Sequence, residues 1–186
     1  TLRRNINGWD ATNTDWQGFA SVLQGLQLEL SQTPVLIFGA GGTSRAIFHA
    51  LYHQGAKEVV ICNRSPERVA HLVNDLHQSY SNIQIITLDW DNKAISKACE
   101  SCKVTINTSS IGLNENDIFP FTLKGQGTAI DAVYKPHGKT AFTSAAKLGG
   151  YTAIDGLPML IAQGIASFQF WHQDNTKEKQ LNLPDK

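Results

Sequence analysis

The feature that most constrains the fold is a succession of strand, glycine turn, helix and strand. Residues 34–38 form a short apolar run with the β-branched and aromatic content of a buried strand, and this run leads directly into the sequence GAGGTS at 39–44. Apolar residues recur at helical spacing over 45–52, and Gly55 ends the predicted helix. Residues 58–62 supply the second strand. This order predicts a parallel βαβ unit.

The glycines lie where a dinucleotide-binding fold uses them, between the end of a strand and the start of a helix. Gly39 allows the tight turn, and Gly41 lets the backbone approach a pyrophosphate because it has no Cβ atom. Ser44 takes the place of the usual third glycine and is small enough to keep helix and strand close. The alternative is a glycine-rich turn that binds nothing. The turn residues predicted to contact a cofactor, at the amino end of the helix, are Gly39, Ala40, Gly41, Gly42, Thr43 and Ser44.

The end of the second strand indicates which dinucleotide would bind. An NAD site usually has Asp or Glu here to hold the ribose 2′-hydroxyl group, whereas this chain has Asn63, Arg64 and Ser65, followed by Arg68. Because guanidinium groups bind phosphate oxygens in a bidentate way, Arg64 and Arg68 favour NADP as the cofactor. The alternative is that both arginines are solvated charges at the start of a helix.

Composition limits the remaining possibilities. A chain of 186 residues, 41% hydrophobic and 17% charged, fits a soluble protein with one ordinary domain and one core. The 16 basic and 16 acidic side chains balance, so charge gives no reason to expect nucleic-acid or membrane binding. No apolar stretch approaches the ~20 residues that span a bilayer, and no signal peptide is recognisable. We therefore expect a cytoplasmic protein.

The three cysteines are an odd and sparse set, which fits a reducing compartment. Cys99 and Cys102 form a C-x-x-C pair near the end of a polar helical stretch, whereas a redox pair normally begins a helix and a zinc site needs a second pair of ligands. We therefore predict ordinary thiols and no metal site.

The rest of the chain continues the alternation of strands and helices. Apolar positions predict a helix over 19–26, preceded by turn-forming and capping residues, while residues 1–5 contain no strand-forming run. Further helices are predicted at 68–80, 91–102, 140–148 and 159–171, and further strands at 82–88, 104–107, 128–133 and 151–154. This pattern predicts an α/β, Rossmann-like, doubly wound parallel sheet of about six strands with helices on both faces.

Two short segments are candidates for function. Hydroxyl-bearing residues follow the strand at 104–107, where an open parallel sheet forms its ligand crevice, and Thr108 and Ser109 are predicted to contact the cofactor. Asp15 lies among the capping residues before the first predicted helix, where it fits either a functional carboxylate in the first turn or a purely structural helix cap.

Five separated motifs, in order, resemble the carboxyl-terminal NADP-binding domain of the shikimate dehydrogenase family. They are Asn13-Thr14-Asp15 with Gly18-Phe19, the GAGGTSRA turn, Asn63-Arg64-Ser65, Asn107-Thr108-Ser109-Ser110-Ile111-Gly112, and Asp131-Ala132-Val133-Tyr134 with Gly156-Leu157-Pro158-Met159-Leu160 and Gln163. The resemblance covers nearly the whole chain. It implies an NADP-dependent enzyme that reduces 3-dehydroshikimate to shikimate on the route to aromatic amino acids.

The resemblance also implies roles for single residues. Asp15 matches the aspartate that shares proton transfer with a lysine of an amino-terminal substrate domain. Tyr134 and Gln163 would face the substrate, although they also fit a strand-end aromatic and a helix-surface amide. Ala132 and Gly156 would approach the nicotinamide through backbone atoms, and Ala132 is a departure because the family more often has a larger apolar residue there.

The implied domain organisation is an NADP-binding domain at 1–172, with the N-T-D segment within 1–18, and a polar tail at 173–186. The substrate domain, with its lysine, is expected before Thr1, so the isolated chain would bind cofactor without catalysing the reaction. One alternative is a quinate or quinate/shikimate dehydrogenase, a group that often accepts NAD, which the two arginines oppose. Another is a non-catalytic NADP-binding regulatory module, against which the retained Asp15 and Gln163 argue.

Overall fold

The structure is a computed structural model that describes residues 1–172, so the predicted polar tail at 173–186 lies outside the described residues. Its elements are β1 Leu2–Asn5, β2 Gly8–Ala11, α1 Thr14–Leu26, β3 Val35–Phe38, α2 Gly42–His53, β4 Glu58–Cys62, α3 Pro66–Ser79, β5 Gln84–Leu88, α4 Asn92–Ser101, β6 Val104–Asn107, β7 Gly127–Asp131, α5 Ala141–Leu148, β8 Tyr151–Ile154 and α6 Leu157–His172. None of these helices is both long enough and apolar enough to cross a membrane.

Six of the strands form one parallel sheet in the order β5-β4-β3-β6-β7-β8. From β3 in the centre, the chain moves outwards through β4 and β5, then returns to β6 on the other side of β3 and continues to β7 and β8. The direction of winding therefore reverses between β3 and β6, and such a switch point opens a crevice at the carboxyl ends of the strands. The predicted Rossmann-like sheet of six strands is confirmed.

The sheet separates two apolar cores, because successive side chains of a strand point to opposite faces. Val35 and Ile37 of β3 belong to the core under α1, α2 and α3, whereas Leu36 and Phe38 belong to the core under α4 and α5. All four side chains are fully buried. Burial on both faces explains why these strands read as continuous apolar runs instead of alternating patterns.

A two-stranded antiparallel hairpin, β1 with β2, precedes the sheet. The expectation that residues 1–5 form no strand is therefore wrong. The hairpin is held by polar contacts: Arg3 Nη2 lies 2.8 Å from Asp10 Oδ2, and Trp171 Nε1 donates to the Leu2 carbonyl oxygen at 2.9 Å. Because Trp171 is distant in sequence, the local pattern could not reveal the strand.

Thr105 of β6 is a buried polar residue whose Oγ1 has no hydrogen-bond partner among the described residues. Valine keeps the β-branched shape and removes the hydroxyl group, so we expect Thr105→Val to raise the free energy of unfolding by about 1 kcal/mol. Denaturant unfolding measures the difference. As a control, Thr140→Val removes a hydroxyl that donates to Asp131 and should lower stability. A less stable Thr105→Val chain would contradict the prediction.

Candidate active site

Two adjoining cavities are formed by segments at the carboxyl ends of the strands. The turn cavity, about 520 Å³, is lined by the glycine turn, the end of β4 and the segment after β6. The helix cavity, about 590 Å³, is lined by the first turn of α1, the segments after β6 and β7, and α6. Thr108, Ser109 and Ser110 line both cavities, and we call these three residues the shared wall. Two ligands, or two halves of one ligand, could contact this wall together.

The glycine turn has two glycines with different requirements. Gly39 has φ +121°, and a Cβ atom there would lie 2.5 Å from Thr108 Oγ1, so the fold itself requires glycine at this position. Gly41 precedes α2 with φ −103°, which any residue adopts, and a Cβ atom there would meet nothing within 4 Å. Since Gly41 lines the turn cavity, its missing side chain leaves space for a ligand beside the helix amino terminus.

Ser44, in the place of the usual third glycine, is fully buried and supports the turn from behind. Its Oγ accepts a hydrogen bond from the Gly41 N–H group at 3.1 Å and lies 2.6 Å from Thr108 Oγ1. Thr108 Oγ1 donates its proton to the Phe38 carbonyl oxygen at 2.9 Å, so the Ser44 hydroxyl is the donor to Thr108. The serine therefore ties the start of α2 to the shared wall.

Predicted cofactor residues from three elements line the turn cavity. They are Gly39, Ala40 and Gly41 of the turn, Asn63, Arg64 and Ser65 after β4, and Arg68 of α3. Arg64 and Arg68 are exposed, and neither forms an ion pair within residues 1–172. The Ser65 side chain does not cap α3, Pro66 has no N–H group and the Arg68 N–H group donates to the Ser65 carbonyl oxygen at 3.2 Å, so the Glu67 N–H group remains available at that helix start. Two cations and a helix amino terminus make this end of the cavity suitable for a phosphate group.

The turn cavity also has an apolar part of its lining that was not predicted from the sequence. It includes Trp90 after β5, together with Ile118 and Pro120 from the long segment between β6 and β7. Apolar side chains that line the same cavity as two guanidinium groups suit a flat aromatic ring. Trp90 could have been found from the rule that parallel strands end at one edge of the sheet. The other two residues lie in an irregular segment whose path the sequence does not reveal.

The helix cavity is lined by most of the remaining predicted residues. They are Asp15 of α1, Thr43 of α2, Ala132 and Tyr134 after β7, Gly156 after β8 and Gln163 of α6. Gly156 donates its N–H group to the Val133 carbonyl oxygen at 2.9 Å, so backbone atoms of these two segments are in direct contact. Gly42 and Ser44 are the predicted residues that line neither cavity. Any contact of theirs with a cofactor stays a prediction.

Asp15 does not cap α1. Asn13 does so, since its side chain accepts a hydrogen bond from the Asp15 N–H group at 2.9 Å. The Asp15 carboxylate lines the helix cavity and has no hydrogen-bond or ion-pair partner among the described residues. Helix capping therefore does not explain Asp15, and the structural explanation that remains is a favourable charge near the amino end of the helix.

Gly18 brings Asp15 and Gln163 to the same cavity, a role that the sequence did not disclose. A Cβ atom at Gly18 would lie 2.8 Å from both the Gln163 backbone nitrogen and the Met159 carbonyl oxygen, so glycine permits a close crossing of α1 and α6. Asp15 precedes Gly18 by three residues and therefore lies on the same face of α1. The crossing thus directs Asp15 towards α6.

A buried polar network lies behind the shared wall. Asp131 is fully buried and accepts hydrogen bonds from Asn107 Nδ2 at 2.8 Å, the Val133 N–H group at 3.0 Å and Thr140 Oγ1 at 2.5 Å. Burial raises the pKa of this carboxyl group to about 6, which the three donors oppose and the nearby Asp155 carboxylate reinforces.

Comparison with known proteins identifies relatives over most of the chain. A family model described as shikimate/quinate 5-dehydrogenase matches residues 21–110. Shikimate dehydrogenase (NADP(+)) of Aquifex aeolicus is 36% identical over 163 residues, covering 86% of this chain and 55% of that protein. The protein of the same name from Thermosynechococcus vestitus is 33% identical over 178 residues, covering 92% of this chain and 60% of that protein. The chain thus spans less than two thirds of the length of these curated relatives.

Solved structures agree with this result. The crystal structure of shikimate dehydrogenase from Aquifex aeolicus matches with a TM-score of 0.75 and 31% identity, covering 93% of this chain and 60% of that one. Shikimate 5-dehydrogenase from Thermus thermophilus, in complex with NADP(H) and shikimate, also has a TM-score of 0.75, with 28% identity over 99% of this chain and 62% of that one.

The strand order, the glycine turn and the cavities at the switch point define a Rossmann-like fold of the dinucleotide-binding class. The matches in sequence and in structure both extend over most of the described residues. The chain belongs to the shikimate dehydrogenase family.

Proposed function

We propose that the chain is the NADP-binding domain of a shikimate dehydrogenase that reduces 3-dehydroshikimate to shikimate. The observation that carries the proposal is the convergence of residues from five separate motifs on two adjoining cavities. The relatives support the choice of cofactor and substrate, because they are named shikimate dehydrogenase (NADP(+)) and one structure contains NADP(H) and shikimate.

In this proposal the cofactor extends across both cavities. Arg64 and Arg68 would hold the 2′-phosphate, and the adenine would lie against the apolar side of the turn cavity near Trp90. The pyrophosphate would lie over Gly41 at the start of α2. The nicotinamide would reach the helix cavity beside Ala132 and Gly156, where close backbone packing leaves little room for side chains.

The helix cavity would hold the substrate. The chemistry supplied by bound NADPH is a hydride for the ketone carbon, and the carbonyl oxygen must then receive a proton to become a hydroxyl group. Asp15 would orient and charge-pair the proton donor, the lysine of the substrate domain, because its carboxylate lacks a partner among the described residues. Tyr134 and Gln163 line the same cavity and would bind substrate hydroxyl groups.

The substrate domain itself would be contributed by a part of the protein outside this sequence. Supporting this, α6 carries an exposed apolar stripe beside the helix cavity, formed by Leu157, Ile161, Ile165 and Phe168, which are 44–60% exposed. The relatives are longer than the chain by an amount that could include such a domain. The isolated chain is accordingly proposed to bind NADP without oxidising shikimate.

Cofactor titration tests the proposal directly. We expect the isolated chain to bind NADPH more tightly than NADH, since Arg64 and Arg68 can bind the 2′-phosphate. Loss of one charge-assisted phosphate contact in Arg64→Ala should weaken NADPH binding by about 1.5–3 kcal/mol, roughly 10- to 150-fold, and leave NADH binding nearly unchanged.

Arg4→Ala is the matched control, because it removes an exposed guanidinium from the hairpin, away from both cavities. It should leave both affinities unchanged. Equal affinity of the parent chain for NADH and NADPH, measured by fluorescence titration, would exclude the NADP assignment.

A further inference from the structure

The shared wall is held by a pair of buried polar side chains that line neither cavity. Asn107 and Asp131 end the adjacent parallel strands β6 and β7 and are register partners in the sheet. Both are fully buried, and Asn107 Nδ2 donates to Asp131 Oδ1 at 2.8 Å. A buried carboxylate is costly for a fold, so its presence at this position calls for a role beyond packing.

On the side of β6, Asn107 reaches the shared wall. Its Nδ2 also donates to the Ile111 carbonyl oxygen at 3.2 Å, and its Oδ1 accepts from the Ser109 N–H group at 3.1 Å and from Ser109 Oγ at 2.6 Å. Both amide protons and the carbonyl oxygen are thus used, which allows a single orientation of the side chain. The Asn107 amide therefore fixes where Ser109 lies.

On the side of β7, Asp131 reaches two further segments. Its Oδ1 accepts from the Val133 N–H group at 3.0 Å, and Val133 lines the helix cavity. Its Oδ2 accepts from Thr140, whose Oγ1 caps α5 by accepting from the Thr143 N–H group at 3.1 Å. One carboxylate thus joins the segment after β6, the segment after β7 and the start of α5.

We propose that Asn107 and Asp131 form a positioning pair that sets the shared wall and the segment after β7 at the spacing that the two ligands require. The identity of the two ligands, NADP and the substrate, rests on the proposed function, whereas the ordering of the two segments does not. Neither residue touches a ligand in this proposal. Both act through the backbone of Ser109 and Val133, and each cavity depends on the pair because each has a wall anchored to it.

Amide hydrogen exchange of the cofactor-free chain, followed by NMR, tests the ordering. Asn107→Leu keeps a similar volume and removes the ties to Ser109 and Ile111, so exchange at the Ser109 amide should accelerate at least tenfold while amides within β3 and β4 keep their protection. Asp131→Ala should accelerate exchange at Val133 as well. Asp131→Asn retains an oxygen at Oδ1 and should restore most of the protection at both amides.

Calorimetric titration with NADP⁺ on the same proteins tests the consequence. We expect Asn107→Leu and Asp131→Ala to bind NADP⁺ about tenfold more weakly than the parent, which corresponds to the free energy of about one hydrogen bond. Asp131→Asn should bind NADP⁺ within about threefold of the parent. A merely structural role would instead lower the midpoint of unfolding without changing the affinity of the folded protein.

The outcomes separate the two proposals. An unchanged exchange rate of the Ser109 amide in Asn107→Leu overturns the positioning pair. This test holds even if Asp131→Ala does not fold. Accelerated exchange with parental NADP⁺ affinity also overturns it. A parent chain with protected Ser109 and Val133 amides that fails to bind NADP⁺ instead overturns the proposed function, while the exchange results still decide whether the pair orders these segments.

Discussion

Asp15→Asn is expected to lower the turnover of the proposed full-length dehydrogenase by about 10²–10⁴-fold, the range typical of lost general acid–base assistance, with little change in NADPH affinity. The variant keeps the shape of the side chain and removes the charge that, in the proposal, pairs with the lysine of the substrate domain. NADPH affinity should be spared because Asp15 lies in the helix cavity, whereas the predicted phosphate contacts line the turn cavity. Steady-state kinetics and fluorescence titration of the same preparations provide both quantities.

Asn13→Ala is the control that separates catalysis from helix capping. Since Asn13 caps α1, this variant should lose about 0.5–2 kcal/mol of stability and keep its turnover. Near-normal turnover in Asp15→Asn would return Asp15 to the role of a helix-end charge and remove it from the proposed active site.

Gly41→Val is expected to weaken NADPH binding at least 100-fold while leaving the chain folded. Because a Cβ atom at Gly41 meets no protein atom within 4 Å, the added side chain would occupy the space proposed for the pyrophosphate without disturbing the fold. The backbone conformation is extended and suits valine, so the stability cost should be about 1 kcal/mol, from the poorer helix cap. NADPH titration and thermal unfolding measure the two effects.

Two other glycines provide matched comparisons. Gly25→Val adds the same side chain in open space away from both cavities and should retain NADPH binding. Gly39→Val should destabilise the fold, because Gly39 has a positive φ and lies against Thr108. Parental affinity in a folded Gly41→Val chain would exclude the turn from the cofactor site.

The sheet was predictable because its central strands are buried on both faces, which leaves uninterrupted apolar runs such as Val35–Phe38 and residues 59–62. Boundaries were less accurate where side chains decide them. The strand predicted to extend to residue 133 ends at Asp131, whose carboxylate instead accepts a hydrogen bond from the Val133 N–H group. The hairpin was missed because its contacts with α6 connect residues at opposite ends of the described chain.

In the candidate site, too, the residues placed by the sheet were predictable from the sequence, whereas contacts between separate elements were not. Residues in the glycine turn and at strand ends could be predicted because a parallel sheet brings the carboxyl ends of its strands to one edge. Gly18 could not be assigned its role, since a close crossing with α6 is a property of two helices and not of either sequence. Asn107 was recognised as part of a motif, but its hydrogen bond to Asp131 appears only when β6 and β7 are aligned.

Because the shared wall lines both cavities, we expect binding in one cavity to depend thermodynamically on binding in the other. Thr108, Ser109 and Ser110 face both, so a shift of the wall caused by an occupant of one cavity changes the free energy of binding in the other. Linkage requires the factor to be the same in both directions, and couplings of this kind typically amount to about 1–3 kcal/mol. During divergence of such proteins, a substitution in the wall that alters substrate preference would therefore also alter cofactor affinity. Tyr134 and Gln163 line the helix cavity only, so their substitution would leave the proposed phosphate contacts of the turn cavity in place.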